Sequence, residues 1–500
     1  MVNVVWLKRD LRLHDHAALS NALESGEQIV LMYVAEPSVW QGTELSSRHF
    51  QFVKESLADL EEQVIQKGGY LTYAIGEMEE VLASCLKAFG PFTLYAHEEH
   101  GTPHTFARDL RVHKWMKKRG LVFNEYPQFG VVRRLKSREQ FQEKWESFMS
   151  APVHPIPPSI NCVEQEHLPE ALTPDLKSLN SFETGDDLPA ASQKGGERTG
   201  IEVFKDFLNG RYQRYQFQIS KPMASAVSCS RISPYLAWGN LSMRAVVQKT
   251  RKVMALLDSD QQHQHLEYFM SRLHWHCHFI QRLEDDPEIA IQTMNPAFDQ
   301  VRSEWNEEWF TAWKNGHTGV PMIDAAMRAL LETGWVNFRS RAMLVSFICN
   351  TLLQDWRQPA EHLAQLFTDY EPGIHYSQVQ MQSASTGFNT IRIYHPVKQG
   401  FDHDPKGAFI RRFIPELRGV PNEYIHEPWK WDRFDELDYP APIVNVDEAN
   451  RYARAVLWGV KNSAESKKTA AEKLKKHGSR RDRKASSEQL SLSLFDGEEE

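Results

Sequence analysis

Residues 2–12 read Val-Asn-Val-Val-Trp-Leu-Lys-Arg-Asp-Leu-Arg. The first six are apolar apart from Asn3 and rich in valine, which suits a short strand buried on both faces; the run then breaks into charge. Ile29–Val34 and Thr93–Glu98 are runs of the same kind, separated by helical stretches such as residues 47–67. Strands alternating with helices predict a doubly wound parallel sheet, Rossmann-like, over residues 1–130. No G-x-G-x-x-G follows the first strand, so the usual dinucleotide fingerprint is absent from this half.

A chain of 500 residues exceeds one ordinary core, so two large domains are expected. Residues 131–200 read as an inter-domain connector, rich in Pro, Ser, Gly and Asp from Ala151 onward. Residues 201–460 read as an all-α C-terminal domain, with 3.6-residue periodicity over 270–282, 320–332 and 339–356. Residues 461–500 read as a disordered basic tail. Up to position 487 its only large apolar residue is Leu474, and an apolar peptide, Gln489–Phe495, follows near the end.

The net charge of -8 argues against wholesale coating of DNA but leaves room for a local basic face. Five cysteines with no C-x-x-C spacing argue against a disulfide framework and a structural zinc, and no metal site is expected. A reducing, cytoplasmic setting follows. The N-terminus reads as neither signal peptide nor membrane span, and no membrane association is expected.

Four motifs carry chemistry. Ser228-Cys229-Ser230-Arg231-Ile232-Ser233-Pro234-Tyr235 puts hydroxyls and an arginine at a helix start, which suits a diphosphate or, more simply, a capped helix with a surface arginine. In Met270–Arg282, the residues Arg272, Trp275, His276 and Phe279 share one helical face, opposite Leu273, Cys277 and Ile280. Such a cationic and aromatic face suits phosphate and a stacked base, or a helix with a partly buried tryptophan. Arg339 and Arg341 sit near a helix start, where the dipole disfavours cations, so they need a carboxylate, a phosphate or a cofactor. Asp369-Tyr370-Glu371 could hold those arginines or serve as turn residues.

In order, the blocks WLKRDLRLHDHAAL, SCSRISPYLAWGNLS, TGVPMIDAAMRALLETGWVNFRSR, QDWRQPAE and DHDPKGAFIRRFIPEL resemble the photolyase/cryptochrome family over residues 1 to about 435. The resemblance implies an antenna domain followed by a helical FAD-binding domain. It places Tyr212, Cys229, Ser230, Arg231, Ile232 and Ser233 along the FAD phosphates and ribityl chain, and Arg341, Asp369, Tyr370 and Glu371 around the isoalloxazine. It places Arg272, Trp275, His276, Phe279, Phe338 and Arg339 against DNA or a flipped lesion. The implied activity is blue-light-driven splitting of UV-induced pyrimidine dimers by electron transfer from reduced FAD; the alternative is a cryptochrome-like photoreceptor without repair. UV-damaged DNA is the implied partner. Gln489–Phe495 also resembles peptides that dock on bacterial sliding clamps, and the chain is expected to be a monomer.

The sequence departs from the family beside flavin N5. His375-Tyr376-Ser377-Gln378-Val379-Gln380-Met381-Gln382 stands where Asn-Asn-Gly-Gly-Trp-Gln-Trp is usual. His375 or Tyr376 falls at the N5 position, and Gln380 replaces the proximal relay tryptophan. Trp356 matches the middle relay member and Phe310 the outer one. Trp275, His375, Tyr376 and Trp356 are therefore the candidate catalytic residues. His104-Thr105 replaces a folate-contacting Asn-Glu pair, which argues against folate and leaves the identity of a second, antenna chromophore open.

Overall fold

The computed structural model describes residues 1–478. The first half is a five-stranded, all-parallel sheet of β1 (Val2–Leu7), β2 (Ile29–Ala35), β3 (Thr72–Ile75), β4 (Phe92–His97) and β5 (Val122–Tyr126), in the order β3-β2-β1-β4-β5. β1 pairs β2 with Val5 opposite Leu31, and β4 with Val5 opposite Tyr95. Its side chains alternate as a pleated strand requires. Val5 and Leu7 pack with Leu19 of α1 (Ala17–Glu24) and Leu57 and Leu60 of α2 (Ser47–Ile65). Val4 and Trp6 pack on the other face with Val81 of α3 (Met78–Phe89) and Val112 of α4 (Pro103–Lys118). Helices thus cover both faces, which is why the strand sequence lacks a polar side.

The second half is helical. The elements that matter for the site are α6 (Tyr212–Gln218), α7 (Ser233–Ala237), α8 (Asp260–Asp285), α9 (Pro321–Thr333), α10 (Phe338–Ser346), α11 (Arg357–Leu366) and α12 (Pro372–Gln382). Preceding them, α5 (Phe141–Ser150) lies inside the expected connector. It buries Phe141, Trp145 and Met149 in the same core as β1 and α8, so this stretch is packed structure. Its three apolar side chains at i, i+4 and i+8 were the signal.

The charged run after β1 plugs the two halves together. Arg12 donates to the Gly239 carbonyl at 2.8 Å, Asn240 donates to the Leu11 carbonyl at 3.0 Å, and Arg9 donates to the Tyr370 carbonyl. Gly239 has φ +68° and its Cα faces the Arg9 carbonyl so closely that a Cβ would lie 2.0 Å from that oxygen; only glycine fits. Arg48 of α2 is fully buried. It donates to the carbonyls of Pro189 (2.8 Å), Leu330 (3.0 Å), Leu366 (2.8 Å) and Leu331, capping the C-terminal ends of α9 and α11 with one guanidinium.

The basic tail is corrected in part. After α13 (Val446–Asn462), residues 464–477 form a further helix, α14 (Ala464–His477). Its docking is polar, which is why hydrophobic content missed it. Asn295 donates to the Ser466 carbonyl and hydroxyl at 3.1 Å each. Lys473 and the buried His477 reach Asp286, at the C-terminal end of α8, at 2.8 and 3.0 Å. The Gln489–Phe495 peptide lies outside the described residues.

Candidate functional site

The loop between residues 228 and 233 is held from behind by Arg211, which donates to the carbonyls of Val227 (3.0 Å), Cys229 and Ser230 (3.5 Å). Arg231 adopts φ +62°, a left-handed conformation that costs a non-glycine residue about 1 kcal/mol or more. Its guanidinium lies 3.8 Å over the Trp335 ring, and burial lowers its pKa to about 10. Tyr212, Cys229 and Ile232 are buried and Ser230 is half-buried beside them.

Arg341 of α10 forms a two-pronged ion pair with Asp369, Nη1–Oδ1 and Nη2–Oδ2 both 2.9 Å. The Asp369 side chain is 5% exposed and that of Arg341 24%. Burial works against the carboxylate, but the charge and hydrogen bonds of Arg341, the Ser233 hydroxyl and the charge of Arg231 hold it below its usual range. His276 and His375 both lie within the field of Asp369. Desolvation lowers each to about 4, so both are neutral near pH 7. Two guanidiniums therefore share one carboxylate. The Ser228 hydroxyl and His276 Nδ1 are buried without a partner among the described residues. A ligand with anionic groups and a polar ring edge fits that surplus.

The predicted DNA face divides. Trp275 is half-buried and stacks on Phe279, centroids 5.6 Å apart at 29°. Arg272 donates to the Tyr268 hydroxyl at 2.7 Å. Arg339 lies over Tyr394, centroid distance 5.5 Å, and Phe338 is half-buried next to it. His276 instead turns inward against Phe129, at 5.4 Å, and joins the Asp369 cluster.

Tyr370 and Glu371 depart from the expected ring environment. Both face the seam with the α/β half. Arg9 lies over the Tyr370 ring at 5.9 Å, and the Glu371 carboxyl is raised to about 7 by burial, against the pull of Arg9 and His100. Glu371 is the N-cap of α12, in extended conformation, and of these residues Asp369 alone pairs with Arg341.

Residues 375–382 are tied down by hydrogen bonds to neighbouring backbone. Gln380 is fully buried: its Oε1 accepts from Met294 N at 2.7 Å and its Nε2 donates to the carbonyls of Ile289 (2.7 Å) and Gln292 (2.8 Å). His375 Nε2 bonds the Ala360 carbonyl at 2.9 Å. Buried Trp356 donates to the Thr293 hydroxyl at 2.9 Å.

Sequence reasoning missed two features. A cavity of about 320 Å³ opens at the C-terminal ends of β1 and β2, beside the point where strand order reverses. Trp6, Trp40, Trp238, Tyr370, Glu44 and His104 are among its walls. Behind it, buried Asp10, His16 and His97 bring ligand atoms within 4.8 Å of one another. Asp10 accepts from Lys8 N and from His97 Nδ1, both at 2.7 Å. His16 Nδ1 accepts from Leu19 N at 3.0 Å, which leaves its proton on Nε2, 3.3 Å from Asp10. Both imidazole nitrogens aimed at Asp10 thus carry hydrogen, an arrangement of a hydrogen-bonded brace rather than of metal ligands.

Comparison with known proteins places this architecture. Residues 269–459 match the FAD binding domain of DNA photolyase, and residues 3–134 match the DNA photolyase family. The deoxyribodipyrimidine photo-lyase of Streptomyces griseus is 30% identical over 472 residues, covering 91% of this chain and 99% of that one. The chain belongs to the photolyase/cryptochrome family. Among solved structures, a class III photolyase from Agrobacterium tumefaciens superposes with TM-score 0.78 at 25% identity, covering 92% of this chain and 98% of the other. An archaeal photolyase from Sulfolobus tokodaii, described with two FAD molecules, gives TM-score 0.76 at 25% identity over 92% of this chain and all of that one. FAD is the cofactor of this family's helical domain, and the Arg231/Arg341/Asp369 cluster fits it. Among the described residues no helix is long and apolar enough to cross a membrane.

Proposed function

We propose that this protein is a light-driven DNA repair lyase that splits UV-induced pyrimidine dimers. The observation that carries the reading is one helix, α8, which carries half-buried Trp275 and Arg272 and sets His276 in the cluster around Asp369. FAD supplies one-electron chemistry when bound. Arg231, Ser230 and Ser233 would hold its diphosphate side, with Tyr212, Cys229 and Ile232 closing that wall, and Arg341 and Asp369 would fix the polar edge of its ring. Trp275, stiffened by Phe279, would stack on the extruded lesion, while Arg272, Phe338 and Arg339 would meet the flanking DNA. The 320 Å³ cavity would take a second, light-gathering chromophore.

The test is recovery of a defined cyclobutane-dimer oligonucleotide under blue light, with a (6-4) lesion in parallel. FAD-loaded protein that restores neither would overturn the repair reading. It would favour the second one, a photoreceptor without repair, which the replaced N5 segment supports. Gln489–Phe495 would dock on a sliding clamp; capture unaffected by Leu492→Ala with Phe495→Ala would refute that. We place the protein in the cytoplasm as a monomer, to be checked by fractionation and light scattering.

A further inference from the structure

Gln380 stands where the family has its proximal relay tryptophan, and all of its side-chain hydrogen-bonding groups are tied to backbone. A different row of rings, two phenols and an indole joined through an imidazole, is buried beside it. The centroids of Tyr370 and His375 are 5.3 Å apart, those of His375 and Tyr376 5.2 Å, and those of Tyr376 and Trp356 6.4 Å. Near one end of this row, next to Tyr370, His375 sits in the field of Arg341 and Asp369. At the other end Trp356 lies beneath Arg357, whose side chain is 39% exposed, at 5.0 Å. The row therefore runs from the candidate flavin cluster toward the surface.

One member differs from the rest. The Tyr376 hydroxyl donates to Glu44 Oε1 at 3.3 Å, and Glu44 comes from the α/β half, more than three hundred positions away in sequence. The Tyr370 hydroxyl faces the same phenol. Oxidation of a phenol by one electron makes it a strong acid, so a buried tyrosine gives up an electron readily only where a base can take its proton. Burial raises the proton affinity of Glu44 and so makes it a better base. Trp356 has no such partner: its indole N–H is bound to the neutral Thr293 hydroxyl.

We propose that Tyr376, with Glu44 as its proton acceptor, is the hole trap through which this protein's flavin is photoreduced. The inference rests on the FAD reading above. One electron passes from the Tyr376 ring to photo-excited oxidised flavin, and the phenolic proton moves to Glu44, leaving a neutral phenoxyl and a protonated carboxyl. An exogenous thiolate then returns one electron by way of Trp356. Glu44 gives the proton back, and pairs of the resulting thiyl radicals couple to a disulfide. The net change is one electron moved from thiolate to flavin, with Tyr376 and Glu44 restored. Glu44 is thus a positioning residue and Tyr376 the redox residue.

The experiment uses the full chain loaded with FAD, without DNA, illuminated at blue wavelengths under anaerobic dithiothreitol. FAD content is read by absorbance first, and dithionite reduction shows the flavin to be accessible in every variant. The wild type is expected to bleach and, on freezing under light, to give a neutral tyrosyl signal in electron paramagnetic resonance. Growth on ring-deuterated tyrosine should narrow that signal without touching the fold. Tyr376→Phe should abolish the signal and slow bleaching tenfold or more. Glu44→Gln, which keeps the shape but removes the base, should slow it comparably. A wild-type signal from tryptophan alone, or wild-type bleaching in FAD-loaded Tyr376→Phe, would overturn the proposal. Failure to repair dimers despite normal bleaching would count against the repair reading and leave this one standing.

Discussion

Replacing Asp369 by asparagine removes a charge while keeping the side chain's shape. The ion pair with Arg341 is two-pronged at 2.9 Å on both arms, and its carboxylate is 5% exposed. Breaking one partner of a fully buried pair costs roughly 3–5 kcal/mol. Arg341 is 24% exposed and keeps its Nε bond to the Val336 carbonyl at 2.9 Å, so we reduce the expected cost to about 2 kcal/mol. Unfolding entropy of about 2.1 cal/mol/K per residue makes that a fall of about 2 °C in the melting temperature of apoprotein. Because Asp369 is held below its ordinary pKa, its contribution is present above about pH 4 and is lost as pH falls through the folded value. The gap between wild type and variant should accordingly be flat from pH 5 to 8. With Arg341 no longer fixed, FAD affinity by fluorescence titration should fall about tenfold, or about 1.4 kcal/mol. An apoprotein melt within half a degree of wild type, together with unchanged FAD affinity, would refute the reasoning.

Glu371 titrates in the opposite sense. Burial raises it from 4.5 to about 7, so the stability it contributes when protonated is lost as pH rises from 4.5 through about 7. Glu371→Gln should match wild type near pH 4 and exceed it at pH 8 by up to roughly 3 kcal/mol, read as a pH-dependent difference in melting temperature. Trp275→Ala should weaken binding to dimer-containing DNA by about 1–3 kcal/mol, five- to 150-fold in fluorescence anisotropy, and affect undamaged DNA far less. Ending the chain after Asn462 removes the partners that Lys473 and His477 give to Asp286 and that Ser466 gives to Asn295. It should lower thermal stability by about 2 kcal/mol, and an unchanged melt would show that α14 is only laid on the surface.

The parallel sheet was legible because doubly buried strands announce themselves as apolar runs, and α8 because its two faces differ in chemistry. Arg341 meeting Asp369 was foreseen from two arginines placed where the helix dipole disfavours them. Other features were not legible, each for a physical reason. Helix α5 carried a readable apolar pattern but was absorbed into a connector whose turn-forming residues begin only after it, at Ala151, and α14 is held by hydrogen bonds and ions that no hydrophobic pattern records. The separation of Glu371 from Asp369 follows from packing against Arg9 and His100 of the other half, which motif spacing does not record. The pairing of Tyr376 with Glu44 joins distant segments, and nothing local in either announces the other.

The seam between the halves has an asymmetry with a bearing on how such a chain tolerates mutation. Arg9, Arg12 and Arg48 all belong to the first half, while most of their acceptors in the second are main-chain carbonyls of Tyr370, Gly239, Leu330, Leu331 and Leu366. A carbonyl oxygen survives any substitution of its own side chain, but a guanidinium disappears with one codon change. Genetic drift can therefore rewrite many of these acceptor positions without loss, whereas the joint depends on the three arginines and, in the helical half, on Gly239 and on the side chains of Asn240, Ser242 and Arg244. A hybrid gene whose borrowed helical half kept that glycine and those donors would keep the joint; one that lost these arginines would not.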